Sequence, residues 1–402
     1  MTNDSLNILE VRNIKVKRAG ALLVDIPFLQ IERGELLSLI GPNGAGKTTL
    51  LLALAGLMKP TTGEISFRGQ KIGFDYPVFE YRRNLAMVFQ EPLLFNTTVL
   101  KNVASGLTIR GMEKKQIRQI VKESLERFGI GHLGERSART LSGGEAQRTS
   151  LARAFAIHPE ILFLDEPFAA LDPPTREALI EDLQAVLQET HTTTIFATHD
   201  RAEALRLSDR IGVMNDGSIL QIGAPEEVMN HPMNEFVANF VGVETILRGK
   251  VIRRDEGSFV TLVSDHEIEA VGDVKLGESV ALCIRPENVT LSTVSRSEAL
   301  RPQGGASGKG RYDYRVGFPP RLQGGASSRL AREPTSARNV FHGRITKITP
   351  LGFFQRIQLD CGFLLVAYVT RHSVDELSLG EGKDVNASFK ATAIHVVRKR
   401  EK

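Results

Sequence analysis

Two short apolar runs stand out in the first half of the chain, at Leu36–Ile40 and at 161–164. Each run ends at polar or glycine-rich residues, and stretches with the spacing of amphipathic helices lie between them. Strands that are apolar at every position and alternate with helices are typical of a parallel sheet covered on both faces. The pattern therefore predicts an α/β domain over residues 1–240.

A helical segment is inserted into this α/β pattern at 114–128. Its apolar residues recur at helical spacing, with charged residues between them. These residues are Ile117, Ile120, Val121, Leu125 and Phe128. We predict an inserted helical subdomain over about 92–148.

Beyond Gly242 the pattern changes to short runs rich in Val, Ile and Phe, separated by Gly, Asp and Asn. This pattern predicts an all-β domain of small barrels over residues 241–402. The runs that we assign to strands lie at 247–252, 258–263, 280–284, 341–348 and 363–369. Residues 295–335 are rich in Gly, Ser, Arg and Pro. Because their low apolar content cannot offset the entropy of ordering, we predict a disordered insert there.

The composition fits a globular protein of two to three domains, with 402 residues of which 42% are hydrophobic and 24% charged. The net charge of +4 is too small to favour nucleic acid as a partner, so any anionic ligand must be recognised by a local patch. Cys283 and Cys361 lack the spacing of a metal site, and we predict two buried thiols in a reducing compartment. No apolar run approaches the roughly 18 residues that span a bilayer. We therefore expect a cytoplasmic protein that is at most peripheral to a membrane.

A glycine-rich segment follows the first apolar strand and precedes a helical run, as the G-x-x-x-x-G-K-[ST] pattern requires. Its glycines let backbone N–H groups close around phosphates, and the helix N-terminus and Lys47 add positive charge. We expect the hydroxyl of Thr48 to be a ligand for Mg²⁺. We therefore predict a nucleotide phosphate site formed by Gly41, Pro42, Asn43, Gly44, Ala45, Gly46, Lys47, Thr48 and Thr49.

Two adjacent acidic residues, Asp165 and Glu166, end the second apolar strand. Carboxylates at the tip of a buried strand are costly unless a cation or a chemical task keeps them there. We predict that Asp165 binds Mg²⁺ and that Glu166 polarises the attacking water. Together with Lys47, these residues supply the metal ligand, the base and the positive charge that nucleotide hydrolysis needs at minimum.

These motifs, together with the sequence LSGGEAQR at 141–148, resemble the nucleotide-binding subunits of ABC transporters over about residues 8–240. The resemblance implies a P-loop NTPase fold, binding of ATP with Mg²⁺, and a head-to-tail pair of subunits. In such a pair Ser142, Gly143 and Gly144 of one copy contact the γ-phosphate held by the other. Small residues before a helix can present free N–H donors to an anion, which agrees with this role.

Three further positions take their roles from the same resemblance. Gln90 matches the glutamine that contacts Mg²⁺ and links the site to the helical subdomain. His199 matches the switch histidine that hydrogen-bonds the γ-phosphate, although one histidine near a strand end also fits a structural role. With Glu166, these two residues form the expected catalytic set. Asp172 matches the loop by which two subunits sense each other's sites, a role compatible with capping the helix at Pro173.

One departure from the family concerns the nucleotide base. The family usually places an aromatic residue at the position of Arg18, and here no aromatic lies between Val11 and Val24. The guanidinium of Arg18 can lie on a base, but loss of a stacking ring commonly costs about 1–3 kcal/mol. We therefore predict weak discrimination between ATP and GTP.

The C-terminal part, over residues 335–397, resembles the small β-barrel module that binds molybdate in molybdate-responsive proteins. By this resemblance Ser336, Arg338 and Lys390 line an oxyanion site, and hydroxyl and cationic donors suit a tetrahedral dianion. Related barrels in importers of sugars, polyamines, sulfate and iron serve dimerisation or regulation, so a structural or regulatory tail is the alternative. The resemblance implies an ATPase that drives uptake of molybdate or tungstate, with sulfate as the nearest rival.

Two other classes of protein fit less well. An ATPase of DNA repair needs a long coiled coil or a zinc insertion between the phosphate loop and the LSGGEAQR sequence, and that segment has no cysteine and no extended heptads. A pure oxyanion store does not need a hydrolytic site. The expected partners are therefore a second copy of the chain, transmembrane permease subunits and, indirectly, an extracytoplasmic substrate-binding protein. A regulatory oxyanion is a further expected ligand, nucleic acid is not expected, and the expected location is the cytoplasmic face of the membrane.

Overall fold

The computed structural model describes residues 7–294 and 337–398. The predicted insert at 295–335 and the candidate oxyanion ligand Ser336 lie outside the described residues. The chain divides into two compact units between Met233 and Asn234, whereas the sequence prediction placed the boundary at 240. Among the described residues, no helix combines the length and the apolar character that crossing a membrane requires.

The first unit alternates strands and helices. Its strands are β1 (Asn7–Arg18), β2 (Ala21–Glu32), β3 (Leu36–Ile40), β4 (Thr62–Phe67), β5 (Gln70–Lys71), β6 (Leu85–Val88), β7 (Ile161–Asp165), β8 (Thr193–Thr198), β9 (Arg210–Asn215) and β10 (Ser218–Gly223). Its helices are α1 (Lys47–Leu54), α2 (Val78–Arg83), α3 (Val99–Ile109), α4 (Lys114–Arg127), α5 (Gly143–Ala156), α6 (Pro173–Thr190), α7 (Arg201–Leu207) and α8 (Pro225–Asn230).

These strands form two sheets. One is antiparallel, in the order β2-β1-β4-β5, and the other has six strands in the order β10-β9-β3-β8-β7-β6. In the six-stranded sheet every neighbouring pair is parallel except β9 and β10. Ile161 and Phe163 of β7 pack in the core shared with the antiparallel sheet and α1, while Leu162 and Leu164 pack in the core shared with the helices. Burial of both faces explains why this strand is apolar at four consecutive positions, 161–164, and the predicted α/β fold is confirmed.

The inserted helical subdomain consists of α3, α4 and α5, which contact one another. Val103, Leu125 and Phe128 lie in their shared core. Helix α5 begins at Gly143 and continues to Ala156, beyond the predicted limit of 148. It continues because its second half carries buried residues such as Leu151 and Phe155, which pack in the same core.

The second unit consists of short strands and two short helices. Its strands are β11 (Thr245–Asp255), β12 (Ser258–Val263), β13 (His266–Val271), β14 (Ser279–Ile284), β15 (Thr290–Thr293), β16 (Asn339–Leu351), β17 (Phe354–Asp360), β18 (Leu364–Thr370), β19 (Asp384–Phe389) and β20 (Ile394–Arg398), and its helices are α9 (Glu235–Phe240) and α10 (Arg371–Glu376). The strands form two five-stranded antiparallel sheets, in the orders β13-β12-β11-β14-β20 and β15-β19-β16-β17-β18. Strand β20 pairs with β14, so segments from both sides of the undescribed region build one sheet. The predicted all-β character is confirmed.

Both cysteines lie in the second unit. Cys283 and Cys361 are free thiols and both are buried, as predicted. Burial raises the pKa of each thiol to about 12. Neither thiol is therefore ionised near neutral pH, which agrees with a role in packing.

Candidate functional site

The glycine-rich segment turns tightly between β3 and α1. A Cβ at Gly41 would lie 2.3 Å from the carbonyl oxygen of Met214, so this position excludes any side chain. Gly46 precedes helix α1 and has a φ of 98°, in the left-handed region that favours glycine. These two glycines let the loop turn tightly from β3 into the N-terminus of α1, and a glycine-rich loop before a helix N-terminus is the arrangement that binds phosphate.

The loop lines a cleft of about 600 Å³. Residues 43–49 of the loop, Gln90 and Glu166 line the same cleft, so three segments that are distant in sequence meet there. Leu22 and Leu23 of β2 also line it, together with residues 216–217. Arg18, the residue predicted to lie on the base, is not among the lining residues.

Lys47 carries a buried charge at the base of the cleft. Its side chain is only 5% exposed, and its Nζ donates hydrogen bonds to the carbonyl oxygens of Gly41 at 2.9 Å and Pro42 at 3.2 Å. The same Nζ lies 3.5 Å from Oε1 of Glu166. A buried ammonium needs such partners, and they hold this one inside the loop at the point where a phosphate would bind.

Thr48 and Asp165 face each other across the ends of α1 and β7. Thr48 Oγ1 donates a hydrogen bond to Asp165 Oδ1 at 2.9 Å. Asp165 is buried, and this burial raises its pKa although the bond from Thr48 opposes the shift. Hydroxyl and carboxylate oxygens are the ligands that Mg²⁺ prefers, and a buried carboxylate gains most from a cation. The two residues therefore fit a magnesium ion.

Glu166 follows β7 in an unusual backbone conformation. Its φ is 46°, and its N–H donates to the carbonyl oxygen of Ala197 at 2.9 Å. A non-glycine residue in the left-handed region costs of order 1–3 kcal/mol. In this conformation Oε2 of Glu166 lies 2.9 Å from Nδ1 of His199, and Oε1 faces Lys47. The strained backbone thus places the carboxylate between a cationic side chain and an imidazole.

Ser142 caps helix α5. Its Oγ accepts a hydrogen bond from the N–H of Glu145 at 3.3 Å, and Glu145 Oε2 accepts one from the N–H of Ser142 at 2.7 Å. This capping box leaves the N–H groups of Gly143 and Gly144 in the first turn, where helices have unpaired donors. Ser142, Gly143 and Gly144 are not among the residues that line the cleft of their own chain.

Two side chains of α5 connect the helical subdomain to residues on both sides of Gln90. Gln147 is buried, and its Nε2 donates to the carbonyl oxygen of Phe89 at 3.5 Å. Arg153 Nη1 donates to the carbonyl oxygen of Leu93 at 2.7 Å. Gln147 belongs to the LSGGEAQR sequence, whereas Arg153 belongs to no motif. Neither contact could be predicted from the sequence, because the two acceptor residues lie about sixty positions earlier in the chain.

A second cleft, of about 400 Å³, lies in the C-terminal unit. Arg338 and Lys390 both line it, so the structure brings these two candidate oxyanion ligands together. Glu256 and Glu269 line it as well, and Glu269 forms an ion pair with Arg338. The cleft therefore carries acidic as well as basic groups, which the sequence analysis did not anticipate.

Comparison with known proteins extends over both units. A family model described as ABC transporter matches residues 25–169, and one described as TOBE domain matches residues 335–396. The molybdate/tungstate import ATP-binding protein of Pyrococcus horikoshii is 36% identical over 97% of this chain and 99% of its own length. The sulfate/thiosulfate import ATP-binding protein of Thermosynechococcus vestitus is 42% identical over 57% of this chain and 68% of its own. Among solved structures, cbiO1 of Clostridium perfringens, part of the ABC transporter complex cbiONQ, is 31% identical, with a TM-score of 0.52 over 60% of this chain and 96% of that one.

Proposed function

This chain belongs to the ATP-binding subunits of ABC transporters and hydrolyses ATP to drive import, and we propose that its cargo is molybdate or tungstate. The observation that carries the proposal is the alignment with the molybdate/tungstate import protein of Pyrococcus horikoshii, which covers 97% of this chain and so includes the C-terminal unit. The alignment with the sulfate/thiosulfate protein covers 57% and leaves much of the chain uncompared. Import of sulfate, or of another solute with a structural or regulatory tail, is the alternative.

Uptake by cells tests the cargo. A strain without this chain is complemented with the wild-type chain or with Glu166→Gln and supplied with molybdate, tungstate and sulfate at equal concentrations. We expect only the wild-type chain to restore accumulation of molybdenum or tungsten, measured by elemental mass spectrometry. Restored sulfur uptake with unchanged molybdenum and tungsten would instead favour the alternative.

We propose that Thr48, Gln90 and Asp165 hold Mg²⁺ together with the nucleotide phosphates. The hydrogen bond between Thr48 and the buried Asp165 supports this role, because it places two oxygen ligands side by side. When bound, the ion neutralises charge on the phosphoryl group during transfer. The loop residues 41–49 orient the polyphosphate through backbone N–H groups, and Lys47 binds its oxygens.

Glu166 acts on the attacking water in this proposal. Its carboxylate accepts a hydrogen bond from water and takes up a proton of that water as the water oxygen bonds to the γ-phosphorus and the bond from that phosphorus to ADP breaks. The contact of 2.9 Å between His199 Nδ1 and Glu166 Oε2 supports this role, because the imidazole holds the carboxylate in place. Gln90, which lines the same cleft, completes the catalytic set.

We propose that two copies pair head to tail around two nucleotides. The first turn of α5 supports this arrangement, since Gly143 and Gly144 offer N–H donors and, like the capping residue Ser142, do not line their own cleft. The exposed apolar side chains of Leu93 and Phe95, just after Gln90, support docking of transmembrane permease subunits on this face. Such subunits place the chain at the cytoplasmic face of the membrane and receive cargo from an extracytoplasmic substrate-binding protein.

We propose that the cleft of the C-terminal unit binds an oxyanion that regulates the ATPase. Arg338 and Lys390 supply the positive charge, and an arriving dianion competes with Glu269 for Arg338. Calorimetry of the whole chain titrated with molybdate, tungstate and sulfate tests this step. We expect Glu269→Gln to bind molybdate more tightly than the wild type, and absence of heat with all three anions in both proteins would reject the regulatory site.

A further inference from the structure

The segment that carries His199 is tied to a buried carboxylate that the sequence analysis did not single out. Glu203, in the first turn of α7, is 6% exposed, and its Oε2 accepts a hydrogen bond from Thr198 Oγ1 at 2.6 Å. Thr198 Oγ1 in turn accepts a hydrogen bond from the N–H of Asp200 at 3.0 Å. These two bonds fix the residues on both sides of His199.

The same carboxylate faces helix α6. Arg176, in the first turn of α6, has its Nε 4.0 Å from Oε1 of Glu203, and its Nη1 donates to Asp200 Oδ2 at 3.5 Å. Helix α6 begins at the cap formed by Asp172, whose side chain accepts a hydrogen bond from the N–H of Thr175 at 3.2 Å. A link of three side chains therefore joins the start of α6 to the segment around His199.

Burial of Glu203 is costly in itself. Burial raises the pKa of this carboxyl group, and the charge of Asp200 adds to the shift, whereas the bond from Thr198 and the charges of Arg176 and His199 oppose it. Well-packed apolar side chains commonly replace a buried ion pair without loss of stability, so packing does not by itself account for this one. The cost of burying the pair of Glu203 and Arg176 is explained if the pair fixes the positions of neighbouring residues more tightly than an apolar contact would.

We propose that Glu203 and Arg176 are positioning residues for ATP hydrolysis: they hold residues 198–200 so that His199 meets Glu166, and they couple this contact to the start of α6. The inference rests on the proposed roles of Glu166 and His199. The contact in question is the one of 2.9 Å between His199 Nδ1 and Glu166 Oε2. Because α6 begins in the segment expected to face the second subunit, pairing of two copies acts on His199 through this link.

Substitutions in the whole chain test the proposal. We expect Glu203→Ala and Arg176→Met to lower kcat at least about tenfold while KM for ATP changes less than about twofold, because a misplaced catalytic group lowers the rate and leaves binding intact. Glu203→Gln should recover part of the rate, since its amide oxygen still accepts from Thr198. Glu177→Ala is the matched control, because Glu177 pairs with Arg206 between the same two helices, at 60% exposure and away from residues 198–200.

A spectroscopic readout separates positioning from a general loss of stability. In protein labelled at histidine, the ring signals of His199 are identified by their loss in His199→Ala. They should shift in Glu203→Ala and Arg176→Met and stay unchanged in Glu177→Ala. Should Glu203→Ala fail to fold, Thr198→Val serves in its place, because valine lacks the donor to Glu203.

The two proposals fail in different ways. Three outcomes would overturn the positioning role: a wild-type kcat in Glu203→Ala or Thr198→Val, His199 signals that do not shift, or an equal loss of kcat in Glu177→Ala. In each of these cases Glu166→Gln would still be inactive. Failure of the proposed function would appear instead as full hydrolysis by Glu166→Gln.

Discussion

Glu166→Gln removes one negative charge from the nucleotide cleft and keeps the shape of the side chain. In the structure Oε2 of Glu166 lies 2.9 Å from His199 Nδ1, and Oε1 lies 3.5 Å from Lys47 Nζ. An amide still reaches both neighbours but cannot take up a proton from water. The substitution therefore removes the proposed general base and leaves the phosphate loop untouched.

The expected effect on hydrolysis is large. A positioned general base contributes a factor of about 10²–10⁴ in rate, which corresponds to about 3–5 kcal/mol of transition-state stabilisation. We expect kcat to fall at least about hundredfold, while the Kd for ATP stays within about threefold of the wild type. In the proposed head-to-tail pair, hydrolysis is the step that reopens the two subunits, so ATP should hold Glu166→Gln as a dimer that light scattering detects.

Glu160→Gln is the matched control. Glu160 immediately precedes the opposite end of β7, and it pairs with Arg33 at 3.4 Å, away from the cleft. We expect wild-type phosphate release from this variant. Substantial steady-state phosphate release by Glu166→Gln, measured at saturating ATP and Mg²⁺, would refute the assignment of the base.

Three further substitutions or treatments test other features of the site and core. Leu22→Trp adds a ring at a 47% exposed position of the cleft wall, and because base stacking is worth about 1–3 kcal/mol we expect at least about fivefold tighter ATP binding. The wild type should bind ATP and GTP alike in the same competition assay, and a hundredfold preference for ATP would contradict this. Gly41→Ala puts a methyl group 2.3 Å from the carbonyl oxygen of Met214, so we expect about 1–3 kcal/mol lower stability in chemical denaturation, and an unchanged midpoint would contradict the tight approach. Cys283 and Cys361, whose pKa burial raises to about 12, should resist a thiol reagent at pH 8 until the chain is unfolded; rapid labelling of the native chain would contradict their burial.

The features that the sequence predicted are local in the chain. The apolar run 161–164 and the two acids after it are adjacent residues, and their pattern is explained by a strand covered on both faces that ends at a polar site. The phosphate loop is likewise contiguous, from Gly41 to Thr49. In each case the periodicity or the glycine spacing alone determines the backbone geometry.

The features that the sequence did not predict depend on contacts between distant segments. Leu22 and Leu23 look like ordinary strand residues, and only the fold places them in the wall of the nucleotide cleft. Glu203 lies on a short helix, where a charged residue is expected at the surface. It is buried because Arg176 and Thr198 pack around it. The pairing of β20 with β14 could not be predicted either, because many positions separate the two strands.

Stability and function oppose each other at the carboxyl ends of β7 and β8. Burial raises the pKa of both Asp165 and Glu203, so each carboxylate destabilises the folded chain as the pH rises through its folded pKa. Glu166 adds backbone strain at a φ of 46°. Packing accounts for none of these costs, since the neighbouring apolar residues would pack as well around neutral side chains. Asp165 and Glu166, which follow the apolar run 161–164, are therefore informative about function, because a chemical role at the proposed site would explain their cost.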